Sequence, residues 1–155
     1  MIIDAACDPD IFAMLSTTFL EHSCLFSGKL PQPLKAAAPY LLRLEPGDRR
    51  AERFIERAWG SSWGIFLRCD TSLDRLRHHL RGFLTVATSR GERLMFRYYD
   101  PRVLRVYLPT CTPEELRTVF GPIERFWMED EQPGRMLEFG LDQTRLERRE
   151  IVLDA

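Results

Sequence analysis

Three segments of the chain combine a proline-containing helix cap with apolar residues at helical spacing. Asp8-Pro9, Asp100-Pro101 and Thr112-Pro113 each place a capping side chain directly before a proline. Proline suits the first helical turn because its φ is preset and it has no N–H that needs a partner. After the third cap, Glu115 predicts a capping box and Gly121-Pro122 predicts the end of the helix. The apolar residues on one face of the three helices are Phe12 and Leu15; Leu104 and Leu108; Leu116, Val119 and Phe120.

Two more segments have helical spacing, and short apolar or alternating runs separate the helices. Residues 48–59 predict a helix that stops at Gly60, and a helix capped by Thr71 or Ser72 is predicted to extend to Leu84. Residues 27–39, which contain three prolines and Gly28, predict an irregular connection. The predicted strands are 1–4, 24–26, 40–44, 63–68, 85–88, 93–99, 125–129 and 136–141, with hairpins at Ser89-Arg90-Gly91-Glu92 and Pro133-Gly134.

This alternation predicts an α+β fold in a single domain. We expect a mixed, mostly antiparallel sheet with about five helices packed on it. The domain is predicted to span residues 1–141, because no Gly/Ser-rich linker divides them. Residues 142–155 are charge-dense and are interpreted as a tail, which is either a frayed helix or an appended strand.

Composition and charge narrow the function classes. The net charge of −1 gives no bulk field that would draw the chain to nucleic acid or to an anionic membrane. Apolar runs such as residues 65–67 are too short to span a bilayer, and Asp4, Asp8 and Asp10 interrupt any signal-peptide pattern. The four cysteines have neither C-x-x-C nor zinc-ribbon spacing, so free thiols and a cytoplasmic location are expected, without a metal.

One motif raises the possibility of an enzyme. Gly60-Ser61-Ser62-Trp63-Gly64 matches the G-x-S-x-G pattern of a nucleophile elbow. That motif requires a strand before the serine and a helix after it, whereas here a predicted helix leads in and a strand leads out. We therefore interpret it as a helix-to-strand turn, and keep a serine hydrolase-like enzyme using residues 60–64 as the alternative.

The helix predicted after Ser72 carries a basic cluster. His78 and His79 lie between Arg77 and Arg81, while the leucines of the same helix share the opposite face. A solvated face is the simple interpretation. The alternative is a contact with an acidic partner that strengthens as the histidines become protonated.

The predicted strand 93–99 is rich in aromatic residues. Period-two geometry puts Phe96 and Tyr98 on one face and Arg97 and Tyr99 on the other. We interpret Arg97 as structural, paired with a carboxylate such as Asp100 or Glu129. The two tyrosines are either core residues or interface anchors. The wider set of aromatic candidates for a partner surface is Trp59, Trp63, Tyr98, Tyr99, Tyr107 and Trp127.

The segment from Phe96 to Leu104, Phe-Arg-Tyr-Tyr-Asp-Pro-Arg-Val-Leu, resembles a signature of the type VI secretion adaptor-chaperones, which dock effectors onto the secretion spike. Further blocks resemble that family in the expected order, so that the resemblance covers about residues 2–140. These blocks are Ala36–Leu41, Trp59–Leu67, Leu76–Leu80 with Phe83-Leu84, Leu108–Glu114 and Phe120–Pro122.

The resemblance implies a non-enzymatic adaptor that binds a secreted effector in the cytoplasm and helps load it onto a VgrG spike protein. It brings no catalytic motif, and no cofactor, metal or small-molecule substrate is expected. Such an adaptor needs an apolar patch or groove ringed by polar groups. The predicted partner-binding residues come from the signature segment and the basic helix: Arg97, Tyr98, Tyr99, Arg102, Arg77 and Arg81. A generic protein-interaction domain is the remaining alternative.

Overall fold

The computed structural model describes residues 1–88 and 90–153. Ser89 of the first predicted hairpin turn and residues 154–155 of the predicted tail lie outside this range. The described strands are β1 Ile2–Asp4, β2 His22–Cys24, β3 Pro39–Leu42, β4 Gly64–Cys69, β5 Thr85–Ala87, β6 Arg93–Met95, β7 Ile123–Glu129, β8 Arg135–Asp142 and β9 Arg145–Val152. The helices are α1 Pro9–Thr17, α2 Gln32–Ala36, α3 Arg49–Ala58, α4 Leu73–Arg81, α5 Pro101–Tyr107 and α6 Pro113–Phe120, with a 3₁₀ turn at Leu108–Thr110.

The three proline caps are confirmed. The side chains of Asp8 and Asp100 each accept a hydrogen bond from the backbone N–H two residues later, and Thr112 forms the capping box with Glu115. Gly121 ends α6 with φ +48°, a conformation that favours glycine. These interactions join residues only a few positions apart, which is why the sequence alone predicts them.

The main sheet has seven strands in the order β2-β3-β1-β4-β7-β8-β9, and each neighbouring pair is antiparallel. The α+β class and the mostly antiparallel sheet are therefore confirmed. β5 and β6 form a separate two-stranded hairpin. Of the two interpretations of the charge-dense segment, the strand is the one found, because β9 pairs with β8 along its whole length.

Helices cover the sheet on both faces. Ile2 packs with residues of α4, α5 and α6, whereas the next residue, Ile3, packs with residues of α1 and α3. Neighbouring side chains of a strand point to opposite faces, so β1 contributes to both cores. We call the side of α4, α5 and α6 the first face and the side of α1 and α3 the second face.

Several predicted boundaries are wrong. The strand predicted at 24–26 is found at His22–Cys24, and α2 lies inside the segment predicted to be irregular. The helix predicted to reach Leu84 ends at Arg81, with Gly82 as its cap. The strand predicted to reach Tyr99 ends at Met95, because the ladder with β5 ends at Thr85 and the chain then turns.

Candidate partner-binding surface

The signature segment begins with a loop that leads into α5. Asp100 caps that helix and also forms a two-pronged ion pair with Arg102, whose Nε and Nη2 donate to the carboxylate at 2.9 and 2.7 Å. Burial opposes ionisation of Asp100, but the hydrogen bonds and charge of Arg102 outweigh it and hold the pKa of this carboxyl below its ordinary value. Arg102 therefore fixes the start of α5 while its own side chain stays 58% exposed.

Arg97 donates to the carboxylate of Asp4 at the end of β1. The predicted partners are not its main ones: Asp100 lies at 4.0 Å, and Glu129 accepts from the backbone of Ser62 instead. Asp4 is almost fully buried, so its charge requires a paired cation. The interpretation of Arg97 as a structural residue agrees with this contact.

Tyr98 and Tyr99 lie in the core rather than on the surface. The two residues are 4% and 2% exposed, and their rings pack edge to face with centroids 5.6 Å apart. The hydroxyl of Tyr98 donates to the Leu80 carbonyl at 3.0 Å. Burial raises the pKa of both phenols, that of Tyr99 to about 12. Of the two interpretations, the structure supports core residues, and the rings offer a partner almost no surface.

The basic helix α4 lies beside β2. Nε of Arg77 donates to the carbonyl of Cys24 at 2.9 Å, so this side chain holds the edge strand against the helix. Arg81 borders a shallow apolar depression together with Leu25, Phe26 and Met95. The signature arginines have different partners: Arg97 binds the carboxylate of Asp4 and Arg102 binds that of Asp100.

The two histidines of α4 differ in their surroundings. His78 is exposed, whereas a ring nitrogen of His79 hydrogen-bonds to the Val119 carbonyl at 3.0 Å. The ring of His79 also packs edge to face against Phe83 and fills the space beside Gly121. His79 therefore joins α4 to the end of α6, and only His78 faces solvent.

The G-x-S-x-G segment is a tight turn between α3 and β4, as the sequence predicts. Gly60 and Ser62 have φ of +85° and +53°, and the backbone N–H of Ser62 donates to both carboxylate oxygens of Glu129 at 3.2 and 3.1 Å. A Cβ on Gly64 would lie 1.9 Å from the carbonyl oxygen of Ile2. Close pairing of β1 with β4 thus explains the second glycine of the motif.

The second face of the sheet carries an open apolar groove of about 680 Å³. It lies between α3 and the middle of the sheet. Phe66 of β4 and Trp127 of β7 are directly opposite in register and form its floor, and the ring of Trp59 lies 6.1 Å from that of Phe66. The full lining is Ile55, Glu56, Trp59, Phe66, Trp127, Met136 and Leu153.

Ion pairs between side chains of β7, β8 and β9 border the groove. Nε1 of Trp127 donates to Glu138 at 2.8 Å, and Glu138 also lies 3.9 Å from Arg125 and from Arg149. Arg125 in turn pairs with Glu147 at 3.2 Å. An apolar floor beside a polar border is the arrangement found in protein-binding surfaces.

A family model matches most of the chain. The model named "Domain of unknown function (DUF4123)" matches residues 1–118. The chain belongs to the DUF4123 family. No curated protein and no solved structure matches it significantly. The residues matched by the DUF4123 model form only part of the groove. Ile55, Trp59 and Phe66 lie within residues 1–118, whereas Trp127 and Met136 follow them.

Sequence reasoning found only part of this groove in the DUF4123 chain. Trp59 and Trp127 are among the aromatic candidates, but Ile55, Met136 and Leu153 are not. The signal that was available is the alternation of β7, in which Phe126 and Met128 lie on one face and Trp127 on the other. A large aromatic residue on the polar face of a strand indicates either a second core or an exposed apolar surface.

Two other kinds of feature are absent from the described residues. No described helix has both the length and the apolar character needed to cross a bilayer. Within residues 1–88 and 90–153, no three His, Cys, Asp or Glu side chains are grouped so that they could hold a metal ion.

Proposed function

We propose that this chain is a non-enzymatic adaptor that binds a type VI secretion effector in the cytoplasm and presents it to a VgrG spike protein. The ordered sequence blocks that resemble the adaptor-chaperones supply the identity of the two partners. The observation that carries the binding role is the groove on the second face, where Trp59, Phe66 and Trp127 present partly buried rings beside open solvent.

Aromatic residues and methionine are enriched at protein interfaces, because they offer large contact areas at low entropic cost. Trp59, Phe66, Trp127 and Met136 bring both kinds of side chain into one continuous surface. Removal of that apolar surface from water contributes favourably to binding, by about 25 cal/mol for each Å² before the entropic cost of association is subtracted. The polar border formed by Glu138 and its arginines would remain at the rim.

The test takes the proteins encoded by the genes neighbouring that of this chain as the candidate effector and VgrG partners. Each is co-expressed with it, and complexes are detected by co-elution in size-exclusion chromatography. The groove variant is Met136→Lys, which replaces an apolar side chain opposite Glu129 with one that can pair with that carboxylate. The control is Val106→Glu, because Val106 is 61% exposed on α5 and does not line the groove.

We expect the wild-type chain and Val106→Glu to co-elute with the effector, and Met136→Lys to lose it while keeping the wild-type circular dichroism spectrum. A ternary complex with VgrG supports the loading role. Binding to the effector without any association with VgrG would support a generic interaction domain instead. If the wild-type chain binds neither protein, the proposal is wrong.

A further inference from the structure

The strands that carry Trp127 and Met136 have no free hydrogen-bonding edge. Trp127 lies on β7, which is paired with β4 and with β8, and Met136 lies on β8, which is paired with β7 and with β9. A segment that lies over Trp127 and Met136 therefore cannot extend the sheet there. Since buried backbone N–H and C=O groups need partners, the occupant has to satisfy its own backbone internally. A single segment does so as an α-helix.

The layer of helices on the second face also leaves room for one more helix. Buried residues of α1 and α3 pack with β1 and β3, and no residue of β7, β8 or β9 belongs to that core within the described part of the chain. α3 is thus the last helix of the layer, and the groove follows its free side. A helix packed about 8–10 Å from α3 would cover Trp127 and Met136.

The two long edges of α3 carry different charges. On the side of α1, Arg57 pairs with Asp10 at 2.9 Å. On the side of the groove, Glu56 lines the groove, and Glu52 lies one turn earlier on the same edge. Both glutamates are exposed.

None of the ion pairs found among the described residues involves Glu52 or Glu56. Arg49 and Arg53 precede them by three residues on the same helix, but neither arginine lines the groove. Like charges at i,i+4 destabilise a helix slightly. On the opposite border of the groove, Arg125 pairs with Glu138 and Glu147, and Arg149 pairs with Glu138, so two arginines are balanced by two glutamates. Glu56 is the one charged side chain among the described residues that line the groove, so the charge presented to a partner there is acidic.

From these observations we infer that the groove binds an amphipathic helix of the partner protein, with its apolar face on Trp59, Trp127 and Met136 and with lysine or arginine along the flank that faces Glu52 and Glu56. The inference rests on the proposed function in one respect, which is the identity of the protein that supplies the helix. The chemistry of that helix follows from the groove itself.

The direct test uses designed peptides of about 18 residues, long enough to form a helix when hydrocarbon-stapled. One peptide has a leucine and alanine stripe flanked by lysines on one side. Its twin carries glutamates at those positions, and a scrambled peptide keeps the composition of the first. Fluorescence anisotropy of each labelled peptide measures its affinity for the purified full chain. We expect the lysine-flanked peptide to bind at least about tenfold more tightly than its twin.

Charge reversal on the protein identifies the residues responsible. Glu52→Lys combined with Glu56→Lys should make the chain prefer the glutamate-flanked peptide, and Glu52→Gln with Glu56→Gln should remove the preference. The control, Glu92→Lys with Glu114→Lys, changes the net charge equally at two exposed positions outside the groove and should leave the preference unchanged. Met136→Lys should weaken both peptides.

Equal affinity for the twin peptides, or a preference that survives the reversal, would overturn the inference. So would a concentration-dependent dimer in light scattering that Met136→Lys abolishes, because a second copy would then be the occupant. The two proposals fail separately: loss of the effector in Met136→Lys without any peptide discrimination supports the adaptor but not the helix. Peptide discrimination without effector binding supports the groove but not the adaptor.

Discussion

The guanidinium of Arg97 donates a hydrogen bond to the buried carboxylate of Asp4, 93 residues earlier in the chain. The contact joins the end of β1, near the centre of the sheet, to the loop that leads into α5. Arg97 is 45% exposed at its side chain whereas Asp4 is 3% exposed, so water reaches the cation but not the anion. The ion pair therefore anchors the signature segment to the sheet.

Arg97→Met should destabilise the fold by leaving the charge of Asp4 buried and unpaired. We expect the free energy of unfolding, measured in urea, to fall by about 3 kcal/mol, the low end for a buried pair because Arg97 is half-exposed. The control is Arg57→Met, whose partner Asp10 is 68% exposed, and it should cost less than about 1 kcal/mol. Arg97→Met combined with Asp4→Asn should cost less than the sum of the single changes. An Arg97→Met variant as stable as Arg57→Met would contradict the anchoring role.

Tyr99→Ala should behave as a core truncation and not as the loss of an interface residue. The ring is 2% exposed, so we expect a loss of about 3–5 kcal/mol and a fall in Tm of roughly 10 °C in differential scanning calorimetry. Arg102→Ala leaves the buried carboxylate of Asp100 with Arg97, at 4.0 Å, as its remaining cation, so it should cost about 3 kcal/mol although Arg102 itself is 58% exposed. If Tyr99→Ala kept the wild-type Tm and lost only the partner, Tyr99 would be an interface anchor after all.

Substitutions in the G-x-S-x-G turn should follow backbone geometry. Gly64→Ala forces β1 and β4 apart, because its Cβ would meet the Ile2 carbonyl, and we expect a loss of about 3 kcal/mol or more. Ser62→Gly should be neutral or stabilising by up to about 1 kcal/mol, since glycine adopts the positive φ without strain.

The same turn distinguishes a structural serine from a nucleophile. A fluorophosphonate probe followed by mass spectrometry should leave Ser62 unlabelled in the folded chain. Labelling of the wild-type chain that Ser62→Ala abolishes would revive the hydrolase alternative, and the stability data on Gly64 would be unaffected by that result.

Glu129 should make stability fall with rising pH. Burial raises the pKa of its carboxyl in the folded chain above the ordinary value of 4.5, so the folded state keeps a proton that the unfolded state has released. Stability is then lost as the pH rises from about 4.5 through the folded pKa. Glu129→Gln has no carboxyl to titrate. Its free energy of unfolding relative to that of the wild-type chain should therefore rise as the pH increases from about 4.5 through the folded pKa. Urea midpoints measured at a series of pH values test this expectation.

Asp100 serves as a control because its pKa is shifted in the direction opposite to that of Glu129. Its folded pKa lies below the ordinary value of 3.8, so the stability that it contributes is present above pH 3.8 and is lost as the pH falls through the folded pKa. Asp100→Asn should therefore be less stable than the wild-type chain above pH 3.8, and this difference in free energy of unfolding should shrink only as the pH falls below that value. A relative stability of Glu129→Gln that is flat over the whole series would show that Glu129 titrates normally.

The sequence determined the features that depend on neighbours in the chain. The caps at Asp8, Asp100 and Thr112, the end of α6 at Gly121 and the turn at residues 60–64 are all set by residues a few positions apart. Hydrophobic alternation also gave the α+β class, because the period of a strand or a helix is a local property.

Contacts between residues remote in sequence set which of these elements meet and which surfaces remain uncovered. The cation for Asp4 came from Arg97, far along the chain, and the signature strand ended at Met95 because its partner strand ended at Thr85. Trp127 and Met136 line an open groove because α3 covers one part of the second face and no described helix covers the part above these two residues. Burial and exposure depend on contacts between residues remote in sequence, and a local pattern does not record them.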